Sequence, residues 1–447
     1  MYDLIVIGSG PAGYVAAERA GEAGKSVLLV EREEVLGGVC LNWGCVPTKT
    51  LLNCGKIYHA AAHGEGFGVS GDLRFDFGAA MARKRKVVGQ LGKGVAMLMK
   101  KAKVEVVRGA ARIVAPGKVA VAQEVLEARD ILLCTGSRSA RPPIPGADQA
   151  HVLDSRAILD CESLPQRLAV VGGGVIGVEF ASFFASVGVE VSVIEMLPEI
   201  VPGTDAEIAR LLRTELAEKG IAFHCGARVE AIESDAVRFT DAQGQGQSCP
   251  ADSVLMATGR RPNVEDLGLE DVGVAVDGGR IAIDAACRTN VPGIWAAGDC
   301  TGKILLAHLA SRQAECVVNN ICGRADRMRY HAVPGVIYTA PEVAAVGLTE
   351  AEAADRGREV VAAKLPMSVS GRFLAEHDGR GLVKVVADRH SRVLLGVHLI
   401  GGHCSEMIYG ACAMIESETR IDEIKEYIFP HPTVCEVIRE AVHALRF

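Results

Sequence analysis

Two cysteines with the potential for redox or metal chemistry lie close together in residues 37–49, GGVCLNWGCVPTK. Cys40 and Cys45 have four residues between them. On a regular α-helix their Cα atoms would be about 8–9 Å apart, beyond the roughly 7 Å limit for a disulfide. A bond between them therefore needs a distorted turn, and the glycines of this segment supply the conformational freedom for one.

Zinc binding is the alternative for the same cysteines. Together with His59 and His63 they approach a two-Cys, two-His spacing, although no Cys-x-x-Cys pair occurs in the chain. From these residues alone, a redox pair and a zinc site both remain open.

The composition indicates a large α/β protein. A chain of 447 residues is too long for one hydrophobic core and predicts about three domains. The net charge of −7 argues against nucleic acid as the main partner. No apolar run is long enough to span a bilayer, and the chain enters a strand at Tyr2 without room for a signal peptide, so we expect a cytoplasmic location. In that reducing compartment most of the 14 cysteines should be small buried residues.

A strand–turn–helix–strand unit with a glycine-rich turn occurs twice. Each unit has glycines at the same spacing: Gly8, Gly10 and Gly13 in the first, and Gly172, Gly174 and Gly177 in the second. Glu31 and Glu195 each close the second strand 23 residues after the first glycine of their unit. In such a turn the first glycine makes the bend, the second admits a pyrophosphate at the helix N-terminus, and the third lets helix and strand pack. The acid accepts hydrogen bonds from a ribose and repels a 2′-phosphate. The repeat predicts two dinucleotide sites.

Three later strands also end in turn signals. Residues 131–138 and 254–261 are apolar strands that end in Thr-Gly, and the proline-containing loops after them predict domain boundaries. Residues 293–299, GIWAAGD, form a third. Asp299 is either a helix N-cap for residues 301–320 or a functional acid, and both readings can hold together.

Over essentially the whole chain these residues resemble the pyridine nucleotide–disulfide oxidoreductase family, and within it most closely the dihydrolipoamide dehydrogenases. The matching motifs are the two glycine turns with their acids, GGVCLNWGCVPTK, ATGRRP at 257–262, GIWAAGD at 293–299, YTAPEVAAVG at 338–347 and HPTVCE at 431–436. The resemblance implies an α/β fold with two Rossmann-like dinucleotide-binding domains and an α+β C-terminal dimerisation domain. It implies a discontinuous FAD domain at 1–148 and 271–330, an NAD domain at 149–270 and an interface domain at 331–447.

The same resemblance assigns the chemistry. Cys40 and Cys45 are expected to form a redox disulfide, with Cys40 exchanging with the substrate and Cys45 contacting the flavin. His431 is the expected base, paired with Glu436 and serving the disulfide of the other subunit of a homodimer. The implied reaction is oxidation of protein-bound dihydrolipoamide to lipoamide with reduction of NAD⁺. The partners would be lipoyl-bearing proteins of a multienzyme complex, with no nucleic acid or membrane. No metal is expected, and the histidines at 59 and 63 become ordinary helix positions.

The resemblance also implies cofactor contacts. Lys49 matches a lysine near the flavin and Glu179 its ion-pair partner. The full set expected around FAD is Gly8, Gly10, Gly13, Glu31, Lys49, Ala111, Thr135, Gly136, Ser137, Gly298, Asp299, Ala307 and His308. The set expected around NAD is Gly172, Gly174, Gly177, Glu179, Glu195, Val229 and Gly259.

Three places depart from the family pattern. Val39 stands where a threonine is common, and Trp43 where a small aliphatic or basic residue is usual. Phe429-Pro430-His431 replaces the more familiar His-Ala-His, so the first of those two histidines is missing. Two alternative functions remain. One is an NAD(P)H-dependent reductase of another disulfide, such as glutathione or mercuric reductases, although residues 195–199, EMLPE, lack the arginines typical of NADPH users and the chain ends HALRF without a cysteine pair. The other is a non-catalytic FAD- and NAD-binding partner protein.

Overall fold

The first glycine-rich unit lies at the centre of a seven-stranded sheet in the computed structural model, which describes residues 1–376 and 379–447. In sheet order the strands are Glu105–Arg108, Val27–Glu31, Tyr2–Ile7, Glu124–Leu133, Lys118–Val121 and Ala111–Ala115, with Ile294–Ala296 also paired to Glu124–Leu133. The pairings are parallel except for those of Lys118–Val121, which are antiparallel. Leu4 and Ile5 on the central strand belong to different hydrophobic clusters, so both faces of this strand are covered. The covering helices include Pro11–Glu22, Phe77–Lys101 and Ala307–Ile321.

The second unit forms a parallel sheet of its own. Its strands, in order, are Ile221–Cys225, Glu190–Glu195, Arg167–Val171, Ser253–Met256 and Val152–Leu153. Helices Val175–Ser186 and Ala206–Glu218 pack on it, and Asp205 caps the latter by accepting from the backbone N–H of Glu207 at 3.0 Å. An antiparallel sheet of Arg228–Ile232, Ala236–Thr240 and Gly246–Pro250 covers the other face. The alternation of parallel strands and helices is what two βαβ repeats predict.

The C-terminal part is built on an antiparallel sheet. Its strands, in order, are Gly335–Ile337, Glu342–Gly347, Leu394–Gly401, Leu382–Asp388 and Val360–Pro366. Helices Cys404–Glu416 and Glu436–Ala444 pack on it, with shorter helices Glu350–Asp355, Gly371–Glu376 and Ile421–Ile424 around them. This part is therefore α+β, in contrast to the two α/β parts before it.

Two connections join these parts around the cysteines. The two Thr-Gly segments meet, because Ser137–Ser139 pairs antiparallel with Arg260–Pro262. Helix Cys45–Ala62, which follows the short helix Gly38–Trp43, packs on helix Val175–Ser186 of the second unit. The contact is close at Gly55, where an added Cβ would lie 2.4 Å from Ser186 Oγ. The remaining elements are the hairpin Val276–Asp277 and Arg280–Ile281 and the 3₁₀ turns Glu65–Phe67, Ala157–Asp160, Asp299–Thr301 and Met367–Val369.

The fold class predicted from the sequence is confirmed, while the domain boundaries at 148/149, 270/271 and 330/331 stay predictions. Asp299 is not the N-cap of the following helix: it begins a 3₁₀ turn, and helix Ala307–Ile321 has Leu306 at its N-cap. The cysteine expectation holds only in part, since six of the 14 are buried and eight are half-buried. Within residues 1–376 and 379–447 no helix is long and apolar enough to cross a membrane.

Candidate active site

One cleft of about 2540 Å³ brings together nearly all of the predicted site residues. It is lined by Cys40 and Cys45, by every residue predicted to contact FAD except Gly13, and by every residue predicted to contact NAD except Gly177. His431 and Glu436 do not line it. The first and second dinucleotide regions and the cysteine pair thus share one continuous space.

Cys40 and Cys45 lie on either side of a helix break. Cys40 is in helix Gly38–Trp43, Cys45 begins the next helix, and Gly44 between them has φ −144° and ψ −111°. A Cβ on Gly44 would lie 3.0 Å from the carbonyl oxygen of Val39 and 3.3 Å from Cys40 Cα, so a side chain there would crowd the backbone of the preceding helix. This is the distorted turn that the cysteine spacing predicts. Both cysteines are free thiols in the structure.

The two thiols differ in acidity. A hydrogen bond from Cys40 is the main cause that lowers the pKa of Cys45 to about 7, and the charge of Lys49 lowers it further, while burial opposes both. The same hydrogen bond, together with burial, raises the pKa of Cys40. The pair therefore shares one proton near neutral pH, with Cys45 as the thiolate.

Lys49 is held by an ion pair across the cleft. Its Nζ donates to Glu179 Oε2 at 2.7 Å and to Oε1 at 3.0 Å, and the Glu179 side chain is only 4% exposed. Glu179 Oε1 also accepts from the backbone N–H of Tyr338 at 2.9 Å, and Lys49 Nζ lies 4.6 Å from the Tyr338 ring centroid. The predicted pair of Lys49 and Glu179 forms, and it joins all three parts of the chain.

The first glycine turn is hydrogen-bonded to the acid that ends its unit. Gly8 has φ +99°, and a Cβ on Gly13 would lie 1.8 Å from the carbonyl oxygen of Gly8, so Gly13 serves helix–strand packing and not the cleft wall. Glu31 is buried and its Oε2 accepts from the backbone N–H of Ser9 at 2.8 Å and from Ser9 Oγ at 2.6 Å. Gly10 is the N-cap of helix Pro11–Glu22 and faces the cleft.

The second turn repeats this arrangement. Gly172 has φ +108°, and a Cβ on Gly177 would lie 2.0 Å from the carbonyl oxygen of Gly172. Glu195 is buried, and its carboxylate accepts from the backbone N–H groups of Gly173 at 2.5 Å and Leu197 at 2.7 Å. Gly174 is the N-cap of helix Val175–Ser186, with no other group within 4 Å of the position of an added Cβ.

Asp299 is hydrogen-bonded to the two-stranded ribbon that the two Thr-Gly segments form. Ser137 Oγ donates to Asp299 Oδ2, and Arg260 donates to Ser137 from Nε to Oγ and from Nη2 to the carbonyl oxygen, each at 2.7 Å. Burial lowers the pKa of Arg260. Thr135 is fixed in turn by Asn263, which accepts from Thr135 Oγ1 at 2.6 Å through its carbonyl oxygen.

The other predicted contacts lie along the same cleft. Ala307 and His308 are the first residues of helix Ala307–Ile321, and burial lowers the pKa of His308. The backbone N–H of Gly298 donates to Gln313 Oε1 at 2.7 Å, which holds the GD turn against that helix. The rest are Ala111, Gly136, Val229 and Gly259, all of which line the cleft.

His431 and Glu436 form a pair on the surface of this chain. The Nδ1 atom of His431 lies 2.9 Å from Glu436 Oε1, and the His431 side chain is 79% exposed. The backbone N–H of Thr433 donates to Glu436 Oε2 at 2.9 Å. This bond, followed by the His431 contact, lowers the pKa of Glu436, so the carboxylate stays ionised at neutral pH. The predicted pair forms, but away from the cleft that holds the cysteines of the same chain.

Sequence reasoning gave no role to several groups that shape the cleft. Arg260 lies in the ATGRRP motif and Tyr338 in YTAPE, so both stood in segments already marked by the resemblance. Arg156, which stacks on Trp43, carried no signal in its surrounding sequence. As for zinc, in the part of the chain that the structure describes, no three His, Cys, Asp or Glu side chains form a metal-binding group, and His59 and His63 stack ring to ring at 4.3 Å.

Comparison with protein families gives two matches that cover most of the chain. Residues 2–314 match the pyridine nucleotide-disulphide oxidoreductase model, and residues 333–442 match the dimerisation domain of that group. The chain belongs to the pyridine nucleotide-disulphide oxidoreductase family. The resemblance predicted from the motifs is confirmed, and the dimerisation domain indicates a homodimer.

Curated relatives align along nearly their whole length. Dihydrolipoyl dehydrogenase 3 of Pseudomonas aeruginosa is 41% identical, covering 98% of this chain and 97% of the relative. Dihydrolipoyl dehydrogenase of Thermus scotoductus is also 41% identical, covering 99% and 97%. That of Rhizobium etli is 38% identical, covering 99% and 97%.

Solved structures of related flavoproteins share the fold. The HOCl-induced flavoprotein disulfide reductase RclA from Escherichia coli has a TM-score of 0.89 at 28% identity, covering 100% of both chains. LpdA from Mycobacterium tuberculosis has a TM-score of 0.91 at 26% identity, covering 98% of this chain and 99% of that one.

Proposed function

We propose that this chain is a flavoprotein enzyme that oxidises dihydrolipoamide to lipoamide and reduces NAD⁺, with FAD bound at the first glycine turn and NAD at the second. The observation that carries the proposal is the joint placement of Cys40, Cys45 and Lys49 in the cleft that both glycine turns enter. The full-length similarity to dihydrolipoyl dehydrogenases supports the choice of substrate.

The residues present fit a dinucleotide at each turn. A Cβ on Gly10 would have only Gly38 Cα nearby, at 4.0 Å, and one on Gly174 would have nothing within 4 Å, so each helix N-terminus opens into the cleft where a pyrophosphate can approach. Glu31 and Glu195 stand at the ribose positions and disfavour a 2′-phosphate. FAD, when bound, supplies a two-electron carrier between the thiols and the nicotinamide.

The thiols carry out the exchange with the substrate. A thiolate of dihydrolipoamide attacks Cys40 Sγ of the oxidised pair, the bond to Cys45 breaks, and Cys45 Sγ takes the electron pair. The low pKa of Cys45, about 7, makes it a good leaving group. The second substrate thiol then attacks the sulfur bound to Cys40, which closes the lipoamide disulfide and leaves Cys40 reduced. The substrate loses two electrons, and NAD⁺ finally accepts them.

His431 moves the proton of the substrate thiol. Its Nδ1–H donates to the Glu436 carboxylate, which leaves Nε2 free to accept a proton. Glu436, ionised at neutral pH, stabilises the imidazolium that results. Because His431 is exposed in its own chain and absent from its cleft, we propose that it serves the cysteines of the second subunit of the homodimer.

The physiological substrates proposed are lipoyl groups carried by separate proteins of a multienzyme complex, in a cytoplasmic setting. Initial rates of NAD⁺ and, in parallel, NADP⁺ reduction by dihydrolipoamide test the proposal with the purified protein. We expect rapid NADH formation and little NADPH. Absence of reaction with dihydrolipoamide, with nicotinamide-driven reduction of another disulfide instead, would contradict the substrate and move the function toward the disulfide reductases that RclA represents.

A further inference from the structure

Trp43, one of the departures from the family pattern, stacks with an arginine. The Cζ atom of Arg156 lies 3.8 Å from the centroid of the Trp43 ring. Arg156 Nη2 also lies 3.4 Å from Glu33 Oε2. The backbone N–H of Arg156 donates to Asp154 Oδ1 at 3.0 Å, so the residue is anchored at its main chain as well. One guanidinium therefore joins an aromatic ring and a carboxylate.

These three side chains come from different segments that border one region of the cleft. Trp43 ends helix Gly38–Trp43, and this helix begins against the first turn, since a Cβ on Gly38 would lie 2.5 Å from Gly10 Cα. Glu33 follows the ribose acid Glu31, whose Oε1 accepts from the backbone N–H of Glu33 at 2.9 Å. Trp43, Glu33 and Arg156 all line the cleft. The stack thus bridges the ribose end of the first dinucleotide region and the helix that carries Cys40.

We propose that Trp43, Arg156 and Glu33 form a clasp across the first dinucleotide region that slows the release of FAD. The inference rests on the proposed function, because it takes FAD as the occupant of that region. Trp43 and Arg156 are positioning residues and take no part in the chemistry.

The side chains of the clasp are partly exposed, as expected for a contact across the surface of a cleft and not for one in a hydrophobic core. The Arg156 side chain is 53% exposed and that of Glu33 31%, whereas Trp43 is half-buried. The guanidinium has one face on the ring and its outer side in solvent, so breaking the stack opens the cleft without leaving a buried charge unpaired. A small aliphatic residue at position 43 offers no ring for Arg156 to stack on.

The rate of FAD release from the purified holoenzyme tests the clasp, read as the rise in fluorescence of free flavin after dilution. We expect W43V and R156A each to raise this rate about fivefold. The double variant should be no faster than the faster single variant, because both changes remove the same contact. W43F retains a ring and should stay within about twofold of the wild type.

Arg141 provides the matched control. It pairs with Asp154 at 3.9 Å, is 60% exposed and does not line the cleft, so R141A should release FAD at the wild-type rate. Wild-type release rates in both W43V and R156A would overturn the clasp, as would an equal acceleration in R141A. If these variants release FAD normally while the wild type oxidises dihydrolipoamide, only the clasp fails. A wild type that binds no FAD would overturn the proposed function and the clasp together.

Discussion

The two glycine units have nearly the same local geometry but different surroundings. In both, the first glycine has a positive φ, the third packs on its carbonyl oxygen, and the closing acid accepts backbone N–H groups of the turn. Over the first turn lies the segment that carries the cysteines, with Gly38 packed on Gly10. At the second turn, residues 200–201 pack on Gly173, whose carbonyl oxygen accepts from the backbone N–H of Val201 at 2.8 Å, but Gly174 itself faces open space.

From this difference we expect the dinucleotide at the first turn to be retained and the dinucleotide at the second turn to exchange. The turn physics selects a pyrophosphate and an unphosphorylated ribose in both places. The first turn, with the cysteine segment packed at Gly10, suits FAD as a resident carrier. The second turn, open at Gly174, suits NAD, which must enter and leave in each turnover.

Replacing Cys45 with serine has the largest expected effect, because it abolishes the thiol reaction while the FAD site stays intact. Because the variant cannot form the disulfide, C45S should lower dihydrolipoamide oxidation by at least about a thousandfold while FAD stays bound. Turnover and the flavin absorbance spectrum measure the two effects. NADH oxidation by an artificial acceptor is the control, since it needs both dinucleotide sites but not the thiols. Unchanged turnover with dihydrolipoamide would rule out the assigned role of the pair.

Loss of the base affects the thiol half of the reaction alone. H431Q should slow dihydrolipoamide oxidation by at least about a hundredfold, because glutamine cannot accept the thiol proton. Activity from NADH to an artificial acceptor should be retained, and comparing the two assays is the measurement. Equal losses in both would indicate misfolding and not the loss of a base.

Changes at the two acids test whether the units select their dinucleotides separately. E195Q removes the charge that repels a 2′-phosphate, so the preference for NAD⁺ over NADP⁺ should fall about tenfold in kcat/KM. The matched variant E31Q should leave that preference unchanged and instead weaken retention of FAD. A change of nicotinamide preference in E31Q, with none in E195Q, would reverse the assignment of the two sites.

Lys49 should tune the pKa of Cys45 with a predictable sign. After the hydrogen bond from Cys40, the positive charge of Lys49 favours the thiolate, so K49M should raise the pKa of Cys45 by about one pH unit and decrease the thiolate fraction at pH 7. The charge of Glu179 acts in the opposite direction, so E179Q should lower the pKa. The pH dependence of Cys45 alkylation in the reduced enzyme, followed by mass spectrometry, measures both. A shift of the same sign in the two variants would contradict this electrostatic account.

Predictions from the sequence succeeded where the constraint is local. Gly8 has a positive φ and Gly13 packs directly on the Gly8 carbonyl oxygen, and the spacing of the glycines in the sequence predicts both roles. The pair of Lys49 and Glu179 joins distant segments and was expected only through the resemblance.

The contacts that sequence did not predict join segments far apart in the chain. Arg260 donates to Ser137 and Arg156 stacks on Trp43, each a residue of a distant segment, and no periodicity marks either arginine. The N-cap reading of Asp299 was wrong because an acid before an apolar run has the same local pattern whether it caps a helix or bonds to a distant serine.

We propose that the cysteines of one chain and the His431–Glu436 pair of another make one active site. Heterodimers of a C45S chain and an H431Q chain, isolated with two different affinity tags, test it directly. Each homodimer should be inactive or nearly so. If the site is shared, the heterodimer pairs intact cysteines with an intact His431 from the other chain and should recover about half the wild-type dihydrolipoamide activity. A heterodimer no more active than its two parents would contradict the shared site.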